Sequence, residues 1–339
     1  MTLERRAFAA AGEARARVAV LVAALVLLLV VAVASIGIGA HAVAPVEVVR
    51  ALFAYDGSSD HVIVWDIRAP RALLAIGVGA ALATAGTLIQ TLSRNPLAEP
   101  GILGVTAGAG FAITMGSALG VAATQVGQLG AAVVGSTLAA LLVYSVGRQS
   151  PLRLVLTGVA LTAILTTGLS LGLRLMLPTV FDQYRFWAVG SLAGREQAPL
   201  TLPLVAIGLA LVGALLVTRA LSALALGETV AHTLGANVAR VRLMTLVLVT
   251  VLAGAATAVA GPILFVGLIV PHLARRLAMG SIPWLMAYTM ILGPILLLVS
   301  DIGSRILLPT GEVPVAIVTA FLGGPVLIWV VRRYGTVSL

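Results

Sequence analysis

Apolar residues in this chain come in long runs with few polar interruptions, without the short alternation of half-buried strands or the polar faces of soluble helices. The first run, Val18 to Ile38, is 21 residues long and follows Arg5, Arg6, Arg15 and Arg17. Further runs, cut by Gly, Pro or Arg, fall near 71–92, 102–120, 126–147, 154–176, 200–218, 243–261, 263–278, 284–300 and 313–331. A membrane-spanning helix needs about 20 mostly apolar residues. The pattern therefore predicts an all-α polytopic membrane protein of about ten spans, one transmembrane domain over residues 1–339. The basic start, with Ala40-His41-Ala42 after the first run, resembles a signal peptide. A signal core is about 7–15 residues long, so the run is read as a retained first helix.

Composition agrees. Of 339 residues 60% are hydrophobic and 10% charged, against about 45–50% and 25% in soluble domains. With the first helix crossing outward, ten spans return the C-terminus to the side of the N-terminus. The segments then expected in the cytoplasm hold 14 of the 21 arginines and four of the 12 acids. That bias follows the positive-inside rule and predicts cytoplasmic termini in a cytoplasmic (inner) membrane. It also accounts for the net charge of +9 without nucleic acid. Glycine is frequent, 36 residues, and many glycines fall within spans, where small residues let helices approach closely.

Absences narrow the chemistry. Cysteine is missing, so thiolate metal sites, clusters and cysteine nucleophiles are excluded. Every one of the 21 basic residues is arginine. Without lysine there is no phosphate-binding loop of the G-x-x-x-x-G-K-[ST] type, so any ATP and magnesium used must be held by another chain, and no cofactor is expected in this one. His41, His61, His232 and His272 show no i, i+4 pairing, and no metal site is expected. Gly190-Ser191-Leu192-Ala193-Gly194 lacks the spacing of a nucleophile elbow, so an enzyme is not expected.

Charges lie at span ends, which leaves no ion-coupling relay in view. Mid-span polarity is mainly Thr84, Thr87, Gln90 and Thr91, and then Thr157, Thr162, Thr166, Thr167 and Ser170. Such hydroxyls either bond back to helix carbonyls or line a wettable pathway; Thr84, Thr87, Gln90, Thr162 and Thr166 are the candidates for the second role. The segment 219–242 is the longest cytoplasmic insertion. Leu224, Gly227, Ala231 and Leu234 recur in it at helical spacing, with Gly235 as a stop. It is read as two short helices, either a lever for a partner protein or an amphipathic helix lying on lipid. Arg68, Arg71 and Arg305 are expected on the outer side, against the prevailing bias. They either pair locally with Asp66 and Asp301 or dock an acidic partner.

Several segments together resemble the FecCD/BtuC-like permeases of ATP-binding-cassette importers for iron–siderophores, haem and cobalamin. They are Arg68-Ala-Pro-Arg71, Gly79 to Gly86 with Gln90, and Arg94-Asn-Pro-Leu-Ala-Glu-Pro-Gly-Ile-Leu-Gly104. Leu226-Gly-Glu-Thr-Val-Ala-His-Thr-Leu-Gly235, Gly261 to Arg276 and Asp301-Ile-Gly-Ser-Arg305 complete the set. The resemblance implies ten helices, a second permease subunit (a related but different chain, or a second copy), two ATPase subunits and an external substrate-binding protein. It also implies docking arginines at Arg68, Arg71 and Arg305, a cytoplasmic gate at Asn95 and Leu97, and ATPase coupling through Gly227, Glu228, Ala231, Leu234 and Gly235. Glu312-Val-Pro-Val-Ala316 departs from the family's Glu-Leu-Pro-Ile-Gly, and no second gate can be matched within 148–153. Leu156 to Thr162 and Phe181 to Gly194 look closest to ferric-enterobactin-type permeases, which makes a ferric siderophore the expected cargo and haem or cobalamin the alternative.

Overall fold

The computed structural model describes residues 3–39, 43–147, 151–176, 187–195, 200–308 and 311–334. The cleavage-like Ala40-His41-Ala42, the first half of the 148–153 segment and the first part of Phe181 to Gly194 lie outside these residues. The described chain is helical: α1 (Leu3–Gly37), α2 (Pro45–Phe53), α3 (Ala69–Ser93), α4 (Val105–Ala118), α5 (Gln125–Gly147) and α6 (Pro151–Met176). After these come α7 (Thr201–Ala225), α8 (Glu228–Thr233), α9 (Val238–Ala260), α10 (Val266–Ala278), α11 (Ile282–Ile306) and α12 (Val315–Tyr334).

A helix stands at each of the ten predicted runs, but their lengths differ. Six of the described helical stretches are long and apolar enough to cross a membrane: Gly12–Gly37, Ser59–Ser93, Val126–Gly147, Thr201–Ala225, Val238–Ala260 and Ile282–Ile306. The run predicted at 263–278 is helical only over the 13 residues of α10, about 20 Å at the helical rise, against a hydrocarbon core about 30 Å thick. Its first residues are irregular because Gly261 (φ 73°) and Phe265 (φ 70°) leave helical geometry. The second run begins earlier than predicted. A turn at Ser59–Val62 and a π-helical segment, Ile63–Arg68, lead without a break into α3, so Arg68 and Arg71 belong to the helix itself.

α3 is the hub. It packs against α11, α9, α10 and α7, and nearly all of Ala72 to Gln90 is buried. Close approach is made by glycine. A Cβ at Gly79 would lie 2.6 Å from the carbonyl oxygen of Gly293 on α11. Gly86 meets Gly267 of α10 as tightly, and Gly108 of α4 meets Gly135 of α5. Backbone contact of this kind substitutes for the hydrophobic drive that lipid cannot supply. α1 is different: only 6% of its apolar window is buried, and Val22, Leu29 and their neighbours face outward.

Candidate functional site

Polar side chains gather at both ends of the bundle. At one end, Arg71 donates Nε and Nη2 to Asp301 (3.0 and 2.8 Å) and places Nη1 2.8 Å from Glu312. Asp301 is fully buried and also meets Arg305 at 3.1 Å. Arg305 donates to the carbonyls of Ser35 and Ile38, each at 2.8 Å, and to the Ser35 hydroxyl at 2.7 Å. Arg68 donates to the carbonyls of Ile36 and Gly37 at 2.9 and 2.8 Å. The last carbonyls of a helix lack intrahelical partners and carry its negative end, and here arginines from α11 and the π-helical segment satisfy them. The three arginines are therefore only 6–7% exposed. Of the local pairings expected from sequence, those with Asp301 are present, while Arg68 is engaged by α1 and Asp66 is exposed.

The other end holds the loop between α3 and α4. Arg94 ends α3 in the left-handed conformation (φ 52°) and donates to the carbonyl of Leu224, near the end of α7, at 2.8 Å. The Asn95 side chain accepts from the Leu97 backbone at 2.9 Å, an Asx turn that sets the loop's direction. Leu97 faces Leu268, Ile269 and His272 of α10 and Val326 and Leu327 of α12 across a gap of about 10 Å³. Beside it, Arg276 of α10 lies 5.1 Å from the Trp329 ring centre of α12. Glu99 then accepts from the Phe265 backbone at 2.9 Å, fixing the irregular entry to α10. One loop thus fastens to α7 and to the entry of α10, and borders α12. Sequence reasoning singled out Asn95 and Leu97 but gave Arg94 and Glu99 no role. Those contacts span more than a hundred residues of sequence and leave no local signal.

A second cavity, about 510 Å³, opens between α4 and α6 and the segments around Trp187 and Pro262. Thr162, Thr166, Thr106 and the half-buried Glu99 line it. The Thr166 hydroxyl bonds back to the Thr162 carbonyl at 2.7 Å. Thr84, Thr87 and Gln90, the other expected lining residues, are 0–1% exposed and line none of the described cavities. Thr87 bonds back to Ala83, and Gln90 donates to Gly267 and accepts from Arg275. Their helix is surrounded on all sides, and this places them in packed interior.

The segment after α7 also differs from expectation. α7 continues unbroken to Ala225 and α9 begins at Val238, so the insertion is the shorter stretch 226–237 with one short helix, α8, in place of two. Gly227 (φ 123°) and Gly235 (φ 78°) bracket α8, and a Cβ at either would meet no atom within 4 Å. They are there for backbone conformation. Glu228 pairs with Arg242 of α9, Ala231 is fully buried, and Leu226, Val230 and Leu234 are exposed.

This arrangement has relatives. The chain is 47% identical over 297 residues to the ferric enterobactin transport system permease protein FepD of Escherichia coli (strain K12), covering 85% of this chain and 88% of that one. It is 37% identical over 281 residues to the hemin transport system permease protein HmuU of Yersinia pestis, covering 80% and 83%. A solved structure described as a metal-chelate type ABC transporter in an inward-facing conformation superposes with a TM-score of 0.81 at 30% identity, over 93% of this chain and 99% of that one. The profile of the FecCD transport family matches residues 27–333, and with these relatives on either side of the match the chain belongs to the FecCD transport family.

Proposed function

We propose that this chain is the membrane permease subunit of an ATP-driven importer and that its cargo is a ferric siderophore. In this reading it crosses the inner membrane ten times with both termini in the cytoplasm, the short α4, α10 and α12 completing their crossings with adjoining backbone. A second permease subunit, two ATPase subunits that bind ATP and magnesium, and an external binding protein complete the assembly. The 226–237 segment receives the ATPase stroke, and the cargo passes the Thr162/Thr166 face and leaves by Asn95 and Leu97. The external binding protein docks over the Arg68–Arg71–Arg305 cluster, where docking glutamates would exchange with the internal partners.

The observation that carries the mechanism is the 94–104 loop. It is bonded through Arg94 to the end of α7, next to Gly227, and through Glu99 to the entry of α10, while Leu97 borders a small gap that α10 and α12 share. A displacement of 226–237 therefore reaches the gate through a few strong contacts, which is what an ATPase acting from outside the bundle requires. The cargo rests on similarity to a ferric enterobactin permease; a hemin permease is a more distant match.

The test is uptake of radiolabelled ferric siderophore and of hemin in a strain lacking this chain and in one restored with it. Restored iron-complex uptake, abolished when the ATPase cannot hydrolyse ATP, is the expected result. Restoration of hemin uptake alone would change the cargo. Uptake by proteoliposomes holding this chain without an ATPase, driven by an ion gradient, would establish the rival class, a secondary transporter.

A further inference from the structure

The largest described cavity, about 980 Å³, is separate from the gate loop and from the Thr162 face. It is a groove between α5 and α9, with α8 across one end. Its walls are apolar: Leu141 from α5, and Leu243, Leu246, Val247 and Val251 from α9. Leu141, Leu243 and Val247 are each about half exposed, so the groove is open along its side. The end near α8 is polar, formed by Tyr144, His232, Arg242 and Glu228.

Three features fix the occupant. The α9 wall, Asn237 to Val251, is about 21 Å long, and the α5 wall, Val133 to Tyr144, about 16 Å. One leaflet of hydrocarbon is about 15 Å thick, so the groove is one leaflet deep with a headgroup's length to spare. Apolar walls of this size gain nothing from water and lose dispersion contacts if left empty. Charge at the mouth is lopsided: Arg242, with Arg240 beside it and the positive N-terminal end of α9 ending there, faces the single carboxylate of Glu228.

We propose that this groove holds one anionic phospholipid, an acyl chain between α5 and α9 and its phosphate on Arg242. The phosphate competes with Glu228 for the guanidinium, so the lipid's arrival loosens the tie between α9 and α8. The lipid site requires only that α5 and α9 stand in a bilayer, whatever the cargo.

The test is native mass spectrometry of the purified full chain, titrated with phosphatidylglycerol and with phosphatidylcholine. The native chain retains phosphatidylglycerol preferentially. Arg242→Gln lowers that preference about fivefold, and Glu228→Gln raises phosphatidylglycerol retention by removing the competitor. Val247→Trp and Leu243→Trp, on exposed positions that leave the interior packing alone, fill the groove and expel the lipid, while helicity and melting point stay at the native value. Equal retention of the two lipids by the native chain, retention unchanged in both tryptophan variants, or an unaltered preference in Arg242→Gln overturns the proposal.

Discussion

At the scale of single residues, Asp301 decides most. It is a fully buried carboxylate facing two buried arginines. Breaking such a set by removing one member leaves uncompensated charge and costs about 3–5 kcal/mol. Asp301→Ala should therefore lower the detergent melting temperature far more than Glu312→Ala, whose carboxylate is 40% exposed. Equal shifts in a thermal melt would refute this ranking. The same burial sets a condition on docking. Arg68→Glu with Arg305→Glu should reduce capture of the external binding protein in a pull-down, and it should also lower the melting temperature of the chain alone. A lower melting temperature with undiminished capture would leave the arginines a purely structural role. Glu99 gives a pH signature. Burial pushes its carboxyl above the ordinary value of 4.5, and the hydrogen bond from Phe265 only partly offsets this. A carboxyl raised in the folded state contributes stability that is complete below its unfolded pKa and is lost as pH rises through the folded one. Glu99→Gln is free of that loss, so its melting temperature should gain on the native one as pH climbs from about 4 to 7. A constant difference across that range would contradict the assignment.

Among elements, α8 and its two glycines separate conformation from contact. Gly235 has φ 78°, in the left-handed region that asparagine tolerates, whereas Gly227 has φ 123° and ψ 152°, which is open essentially to glycine alone. Gly235→Asn should then preserve ATPase stimulation by loaded binding protein, while Gly227→Asn loses most of it. Stimulation retained in both variants would remove 226–237 from the coupling route. Helix positions are legible in the sequence because apolar runs of this length have few other uses, and the stop at Gly235 is legible because glycine there is a backbone requirement. The ends are less so. Asp60, Asp66 and Arg68 interrupt the apolar pattern over 59–68, yet the helix starts ten residues before α3, with Arg68 engaged by the end of α1. The hydroxyls of α3 lie inside for a related reason: a helix small and apolar on nearly every face is buried on nearly every face. The glycines at 79 and 86 are the local sign of this burial, since each admits the backbone of a neighbouring helix. Thr162 and Thr166, on a helix with exposed Leu156 and Val159, do reach a cavity.

Over the whole molecule, pairs distant in sequence close the bundle at two ends. Asp301 of α11 holds Arg71 of α3, Arg305 beside it holds the end of α1, and Arg94 joins α3 to α7. Only the Asp301–Arg305 pair, four residues apart, is visible in a linear reading; Arg71–Asp301 and Arg94–Leu224 lie more than a hundred residues apart. What the sequence does carry at this scale is the family, through motifs that turn out to be the fastening points. α1 shows what the two closures mean together. One side of it is bare, its far end is held by Arg68 and Arg305, and about midway the Tyr288 hydroxyl of α11 donates to the carbonyl of Arg17 at 2.9 Å. α11 thus holds α1 at two points along its length, through Tyr288 and Arg305, and a rod held twice by one neighbour travels with it. Spin labels at Val22 and Val299 should report the same separation with and without trapped nucleotide, and a change of several ångströms would show that the clamps slip. The first helix is then ballast carried by α11.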